Sequence, residues 1–316
     1  ARISRGEGPI SLLPRGEALA VEKLTVMADQ GDVLPMTEVW DQTGVDATLV
    51  MHRGKVVFES YLGDMSATRQ HPMFSCTKSV VGLLVEDLIH ASHIDPSAPA
   101  SVYLPELSHS PVGSATIRQL LDMRANFMFS DKPKADGQVQ VDYIMGLGFL
   151  PRPPAYTGAN GAYELLENAR PIGTHGGPFR YDNGSTDTLG WIVRRVSGQN
   201  TENLLSERIW QPMGAELDAY YTVDPIGTAF AGGGLNTGLR DLARFGELVR
   251  NQGRVAHQQV LPAAAIADTF AGADPARFAA NGPATLQGWS YRNMWWVSHN
   301  AHGAIMARGV HGQNIY

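Results

Sequence analysis

Ser75 and Lys78 stand three residues apart in Phe74-Ser75-Cys76-Thr77-Lys78, a pairing that could do chemistry. Beyond them, apolar side chains recur at 80, 81, 84, 85, 88 and 89, a helical spacing with one wide buried face. The spacing predicts a core helix ending near His93, with Ser75 in its first turn. Residues i and i+3 share a helix face, so Lys78 can reach the Ser75 hydroxyl. A serine is a poor nucleophile until a base takes its proton, and a lysine serves if burial removes its charge. The free N–H groups and the positive dipole end of a first turn favour negative charge beside Ser75. S-x-x-K is short enough to recur by chance, and a serine before a helix often only caps it. Partner groups elsewhere must decide between the two readings.

Such a pair needs a second proton-handling group on the opposite wall. A tyrosine serves if its phenol lies near the lysine ammonium, which favours phenolate. Two Y-x-N stretches exist, Tyr181-Asp182-Asn183 and Tyr291-Arg292-Asn293. Tyr181 sits in a Gly/Pro loop just before a helical pattern and is the favoured one. Tyr291 lies in a strand pattern beside Trp295-Trp296 and reads as a packed aromatic.

The elements that must hold these residues are legible in outline. Residues 1 to about 44 read as an N-terminal arm, with a short helical candidate around Glu17–Asp29. Ala47–His52 and Lys55–Leu62, joined at Arg53-Gly54, read as a β-hairpin. Ser114-Ala115-Thr116 opens a short helix over Ile117–Met123 by side-chain capping. From Ala125 to Gly177 the pattern weakens to Gly, Pro, Asn and aromatics, with helical hints at Val141–Met145 and Ala162–Asn168; so long an irregular stretch predicts a functional wall or lid. Helices follow over Thr186–Val196, Thr201–Trp210, Leu239–Asn251 and Pro262–Phe270. Ser290–Val297 and Ala304–Tyr316 read as strands. Strands thus flank a helical middle, which predicts an α/β (α+β) chain. A sheet lobe of about 45–74 and 285–316 would form one antiparallel sheet flanked by helices, and 75–284 a mostly helical second lobe.

Composition narrows the function classes. The chain has 316 residues, 43% of them hydrophobic, ample for a large core. A net charge of −6 without a basic run argues against nucleic acid as a partner. The single cysteine, Cys76, rules out an internal disulfide and a cysteine-based zinc site; it fits a reducing compartment without excluding the periplasm. No apolar run approaches the length of a membrane span. G-x-S-x-G and H-E-x-x-H are both missing. His299 and His302 have poor ligand spacing and read as loop histidines. Gly232-Gly233-Gly234 lacks the pattern of a dinucleotide loop and reads as a close backbone turn. Cys76 reads as packing, and Trp295-Trp296 as either core or the wall of an acyl pocket.

Three segments in this order carry a family resemblance: F-S-x-T-K with its apolar helix and Ile94-Asp95-Pro96, F-x-Y-x-N-x-x-x-D-x-L-G-W-I-V at 179–193, and G-G-G-L-x-T-x-x-R-D-L-A-R-F-G at 232–246. They resemble the serine β-lactamase and penicillin-binding superfamily. Met294-Trp295-Trp296 and Gly309-Val310-His311-Gly312-Gln313-Asn314 look most like the 6-aminohexanoate-dimer hydrolases and class C-like carboxylesterases. The resemblance spans about 45 to 316 and implies a β-lactamase-like fold. It implies Ser75 as the acylated nucleophile, with Lys78 and Tyr181 sharing base and acid duty. The N–H groups of Ser75 and Val310 would form the oxyanion hole, with Gly309 and His311 beside it, and Asn183 would orient the substrate or Lys78.

The implied reaction is hydrolysis of a small-molecule ester or linear amide through an acyl-enzyme, without cofactor or metal. Ala307-Arg308-Gly309 stands where β-lactamases carry K-T-G, which weakens a β-lactamase or D,D-peptidase reading. Arg308 could replace the lysine or point away. A catalytically idle ligand-binding module is the remaining alternative. The family pattern continues with further strands and a helix, so the stretch ending at Tyr316 reads as truncated.

Overall fold

The computed structural model describes residues 1–27, 31–129 and 141–316. The helix that carries Lys78 runs Cys76–His90. Its apolar pattern suggests one buried face, but every residue from Cys76 to Glu86 is buried. The small side chains explain this. A Cβ on Gly82 would sit 2.3 Å from the Asn293 carbonyl oxygen, so only glycine lets the next turn approach. Ser79 Oγ donates to the Met294 carbonyl at 2.7 Å, and Trp295 Nε1 donates back to the Ser79 carbonyl at 3.2 Å. The helix is thereby locked into the middle of the protein, against helix Gly184–Ser197 and the strands near the C-terminal end. Its Leu83, Leu84 and Leu88 join the main core, each worth about 1.5–3 kcal/mol of burial.

Among the described residues the strands form two four-stranded antiparallel sheets and four two-stranded pairs rather than one sheet. Ser290–Arg292, Trp295–Val297, Ile305–Arg308 and Asn314–Ile315 pair in chain order. Arg2–Ile3, Ala219–Tyr221, Leu235–Thr237 and His71–Pro72 make the other sheet. The hairpin Ala47–His52 with Lys55–Tyr61 forms as its sequence predicts, turning through Arg53 and Gly54 at φ 50° and 75°. Among the described residues it pairs with neither sheet, which corrects the expectation of one common sheet. Helix Leu239–Arg250 packs against both the hairpin and the terminal strand, so side-chain packing replaces a ladder there.

Other differences are local. Ser290–Val297 is two strands, because Asn293 and Met294 take φ 51° and 65° and reverse the chain. Ala304–Tyr316 is broken in the same way at 310–312, where His311 has φ 66°. The helix expected at Glu17–Asp29 is instead a short turn, Val21–Lys23, then strand Thr25–Met27; Ala28 and Asp29 lie outside the described residues. Pairing with Val33–Pro35, which half-buries Val26 and Leu34, wins over helix propensity there. The helix of this region is Met36–Thr43. Capping at Thr116 is as expected, with Gln119 returning the bond to complete a capping box.

Candidate active site

Ser75 stands immediately before helix Cys76–His90, presented by a strained residue. Phe74 has φ 43°, a conformation that L side chains rarely adopt. Its surroundings hold it there. Met73 N donates to Leu235 O at 2.8 Å, Thr77 N donates to Phe74 O at 2.9 Å, and the Phe74 ring packs edge-on against His311 at 5.5 Å.

Lys78 is fully buried and spends all three of its protons. Nζ donates to Ser75 Oγ at 3.0 Å, to Asn183 Oδ1 at 2.6 Å and to the Gly232 carbonyl. Burial pushes its pKa down to about 8, against the charges of Asp187 and Asp182, which favour the ammonium. The Lys78 amine is therefore within reach of neutrality near physiological pH. Of the two partners the resemblance allows Asn183, substrate or Lys78, the structure shows the contact with Lys78.

Tyr181 closes the other side. Lys78 Nζ lies 5.1 Å from its ring centroid, over the face rather than bonded to the phenol. The residue is 38% exposed at the mouth of the site, while enclosure of the phenol pushes its pKa up and the Ser75 hydroxyl beside it acts against that. Enclosure, the largest influence, thus works against the phenolate that sequence reasoning looked for, and the Arg308 charge works for it. Tyr291 is buried behind Tyr181, edge-on at 6.2 Å, a packed aromatic as expected.

The turn after strand Ile305–Arg308 packs onto the start of the helix. A Cβ on Gly309 would meet the Met73 carbonyl at 2.6 Å, and Cys76 Sγ donates to the Gln313 carbonyl at 3.4 Å. Ser75 and Val310 each open a helical turn, the position whose N–H has no acceptor within the turn. Gly309 thus permits the approach, Val310 opens the turn that follows it, and exposed His311 packs on Phe74.

The two tryptophans divide as strand neighbours must. Trp295 is core, whereas Trp296 stacks on Tyr181 at 5.6 Å. Arg308 lies 5.3 Å from the Trp296 ring, so it faces the site rather than away from it. His299 bonds Ser290 Oγ at 2.7 Å and caps no site. Gly232 and Gly233 do line the site, Gly233 lying against Phe74.

Sequence reasoning quoted Asp187 within the 179–193 motif but gave no role to it, the buried carboxylate one turn beyond Asn183. Both lie at the start of helix Gly184–Ser197 and four apart, a spacing that puts them on one face and could have revealed the pair.

A family model described as Beta-lactamase matches residues 37–313. The chain belongs to that family. It is therefore a β-lactamase-fold chain of a hydrolase family, with helices packed around antiparallel sheets. It is 31% identical over 280 residues to the 6-aminohexanoate-dimer hydrolase of Paenarthrobacter ureafaciens, covering 87% of this chain and 70% of that protein. A Bacillus anthracis structure provisionally named a 6-aminohexanoate-dimer hydrolase superposes with a TM-score of 0.90 at 30% identity, over 99% of this chain and 80% of its own. EstCE1, a hydrolase with promiscuous acyltransferase activity, shares the fold at 16% identity and a TM-score of 0.65, over 87% and 86% of the two chains. No helix among the described residues is long and apolar enough to cross a membrane.

Proposed function

We propose that this family member is a serine hydrolase that cleaves a small ester or a linear amide of the 6-aminohexanoate type through an acyl-enzyme on Ser75. One observation carries the reading: Lys78 is buried, touches Ser75 Oγ at 3.0 Å, and has its pKa pushed down to about 8. Lys78 takes the Ser75 proton as Oγ attacks the substrate carbonyl. The Ser75 and Val310 N–H groups receive the oxyanion, each such donor being worth about 2.7–4 kcal/mol in studied enzymes. The neutral phenol of Tyr181 relays a proton to the leaving amine or alcohol. Lys78 passes the proton it took back to Tyr181 and is neutral again; water then attacks the acyl-enzyme ester with Lys78 as base, and Tyr181 relays a proton to the departing Ser75 Oγ.

Arg308 and Trp296 suit the carboxylate end and the methylene chain of a linear amide acid. The 31% identical relative, named for the 6-aminohexanoate dimer, supports that substrate class. Position 307, where K-T-G would begin, is alanine, which counts against β-lactams. The test is a comparison of three substrates under one condition: the linear 6-aminohexanoate dimer, p-nitrophenyl butyrate and a chromogenic cephalosporin. Turnover of either of the first two at least tenfold above the third supports the reading; preferential turnover of the cephalosporin rejects it.

A further inference from the structure

Asp187 is a carboxylate enclosed in the protein, only 4% exposed, and its two oxygens have separate tasks. One accepts the Gly232 N–H at 3.0 Å. The other accepts the phenol of Tyr143, itself fully enclosed, from helix Val141–Gly146 of the irregular wall. An acid in a helix's first turn meets the helix dipole favourably. The dipole alone does not require that its oxygens face a glycine N–H from one loop and a phenol from another element.

Gly232 is held from both sides: its N–H by Asp187, and its carbonyl by Lys78. The room for it is narrow, since a Cβ there would sit 2.8 Å from Phe230 and 3.1 Å from Asn183. A continuous path thus runs from Tyr143 through Asp187 and Gly232 to Lys78 and Ser75. We propose that Asp187, locked by Tyr143, is a positioning residue for the reaction: it fixes the Gly232 backbone that holds Lys78 against Ser75. The inference rests on the acyl-enzyme reading given above.

A charge consequence accompanies the geometry. The titratable groups facing Lys78 are Cys76 on its own helix and Asp182 and Asp187 across from it, with Tyr181 over the ammonium. Tyr143 faces Asp187, Arg180 faces Asp182, and Arg308 faces Tyr181. Burial raises the Asp187 pKa, and its negative charge favours the Lys78 ammonium. Neutralising it makes Lys78 easier to deprotonate.

The test follows the rate at which a fluorophosphonate probe labels Ser75 across pH 5–10, in wild type, Asp187→Asn, Asp187→Ala and Tyr143→Phe. Labelling forms a Ser75 O–P bond, expels fluoride and passes the serine proton to Lys78. Asparagine can still accept from Gly232 but carries no charge. The expected result is an acid limb moved down by on the order of one pH unit in Asp187→Asn. Asp187→Ala should lose about tenfold or more in plateau rate, with Tyr143→Phe between it and wild type. Circular dichroism identifies variants that fail to fold, and Tyr143→Phe gives an independent reading if an Asp187 variant does. A limb unmoved in folded Asp187→Asn, with a full plateau in Tyr143→Phe, overturns this inference alone. An unlabelled wild type overturns the acyl-enzyme reading and this inference with it.

Discussion

Lys78 Nζ donates to Asn183 Oδ1 at 2.6 Å, and that bond joins the two helices that make the site. The lysine comes from helix Cys76–His90, and Asn183 stands just before helix Gly184–Ser197, 105 residues later. With Ser75 Oγ and the Gly232 carbonyl it completes an ammonium-shaped cage. For Lys78 to accept the Ser75 proton it must first be neutral, and the predictions below turn on that requirement.

Lys78→Met removes the base while keeping length and burial. The rate of Ser75 acylation should fall by about 10²–10⁴, the usual range for a lost general base. Lys78→Arg should fall as far, because a guanidinium cannot give up its proton at these pH values. Single-turnover kinetics check both; a Lys78→Arg variant of near wild-type rate would show that charge alone suffices.

Tyr181→Phe keeps the stack on Trp296 and removes only the hydroxyl. We predict a loss in kcat of about 10²-fold or more with KM little changed. Tyr291→Phe serves as the comparison. Among the described residues its hydroxyl reaches only Met294 Sδ, at 3.8 Å, so activity should stay within about twofold by steady-state assay.

Two linked pH effects follow from Lys78. Activity should rise through an acid limb near pH 8, as the amine loses its proton. Stability has its own sign. The folded-state pKa lies below the ordinary lysine value of 10.5, so between about 8 and 10.5 the unfolded chain binds more protons. The Lys78 contribution to stability therefore grows with pH across that window. Below pH 8 the charged lysine is a cost to folding. Denaturant melts of Lys78→Met against wild type at pH 7 and 10 isolate the term: the variant's relative stability should be greater at pH 7.

Arg308 covers Trp296 and has no acidic partner among the described residues. Arg308→Gln should raise KM by about tenfold for linear amides that end in a carboxylate, as loss of a charge-assisted contact implies. For p-nitrophenyl butyrate, which is uncharged, KM should change by less than about threefold. Equal effects on both substrates would give Arg308 a structural role through Trp296 instead.

Gly82→Ala tests how the nucleophile's helix is docked. The added Cβ would lie 2.3 Å from the Asn293 backbone oxygen, which has little room to yield. Asn293 is held by Asp268, Thr269 and Arg118. Overpacking of this kind costs about 1–3 kcal/mol, readable as a lowered denaturation midpoint at unchanged slope.

Local relationships were readable from the chain and distant ones were not. Ser75 and Lys78 are one helical turn apart, so their contact is fixed once the helix is recognised. The Arg53-Gly54 turn and the Thr116 capping box are likewise settled within a few residues. Tyr181 and Asn183 were found because they precede a strongly patterned helix. The Asp187–Gly232 bond spans 45 residues and the Tyr143–Asp187 bond 44, and nothing in local periodicity marks either. The enclosure that works against a phenolate at Tyr181 was hidden for a related reason, since desolvation depends on neighbours from elements far along the chain. Asn293, Met294 and His311 take positive φ without being glycine, so the turns they make left only a weak trace, an asparagine and a histidine, in composition. The hairpin's separation from the C-terminal sheet depends on packing by helix Leu239–Arg250, which strand patterns alone do not show.

The most direct test of the account is a burst experiment with p-nitrophenyl butyrate, read together with intact mass, on wild type and Ser75→Ala. The account predicts a nitrophenol burst of about one equivalent and a transient butyryl adduct in wild type, mapped to Ser75, with neither in Ser75→Ala. Turnover by both proteins at equal rates, or an adduct mapped elsewhere, would contradict it.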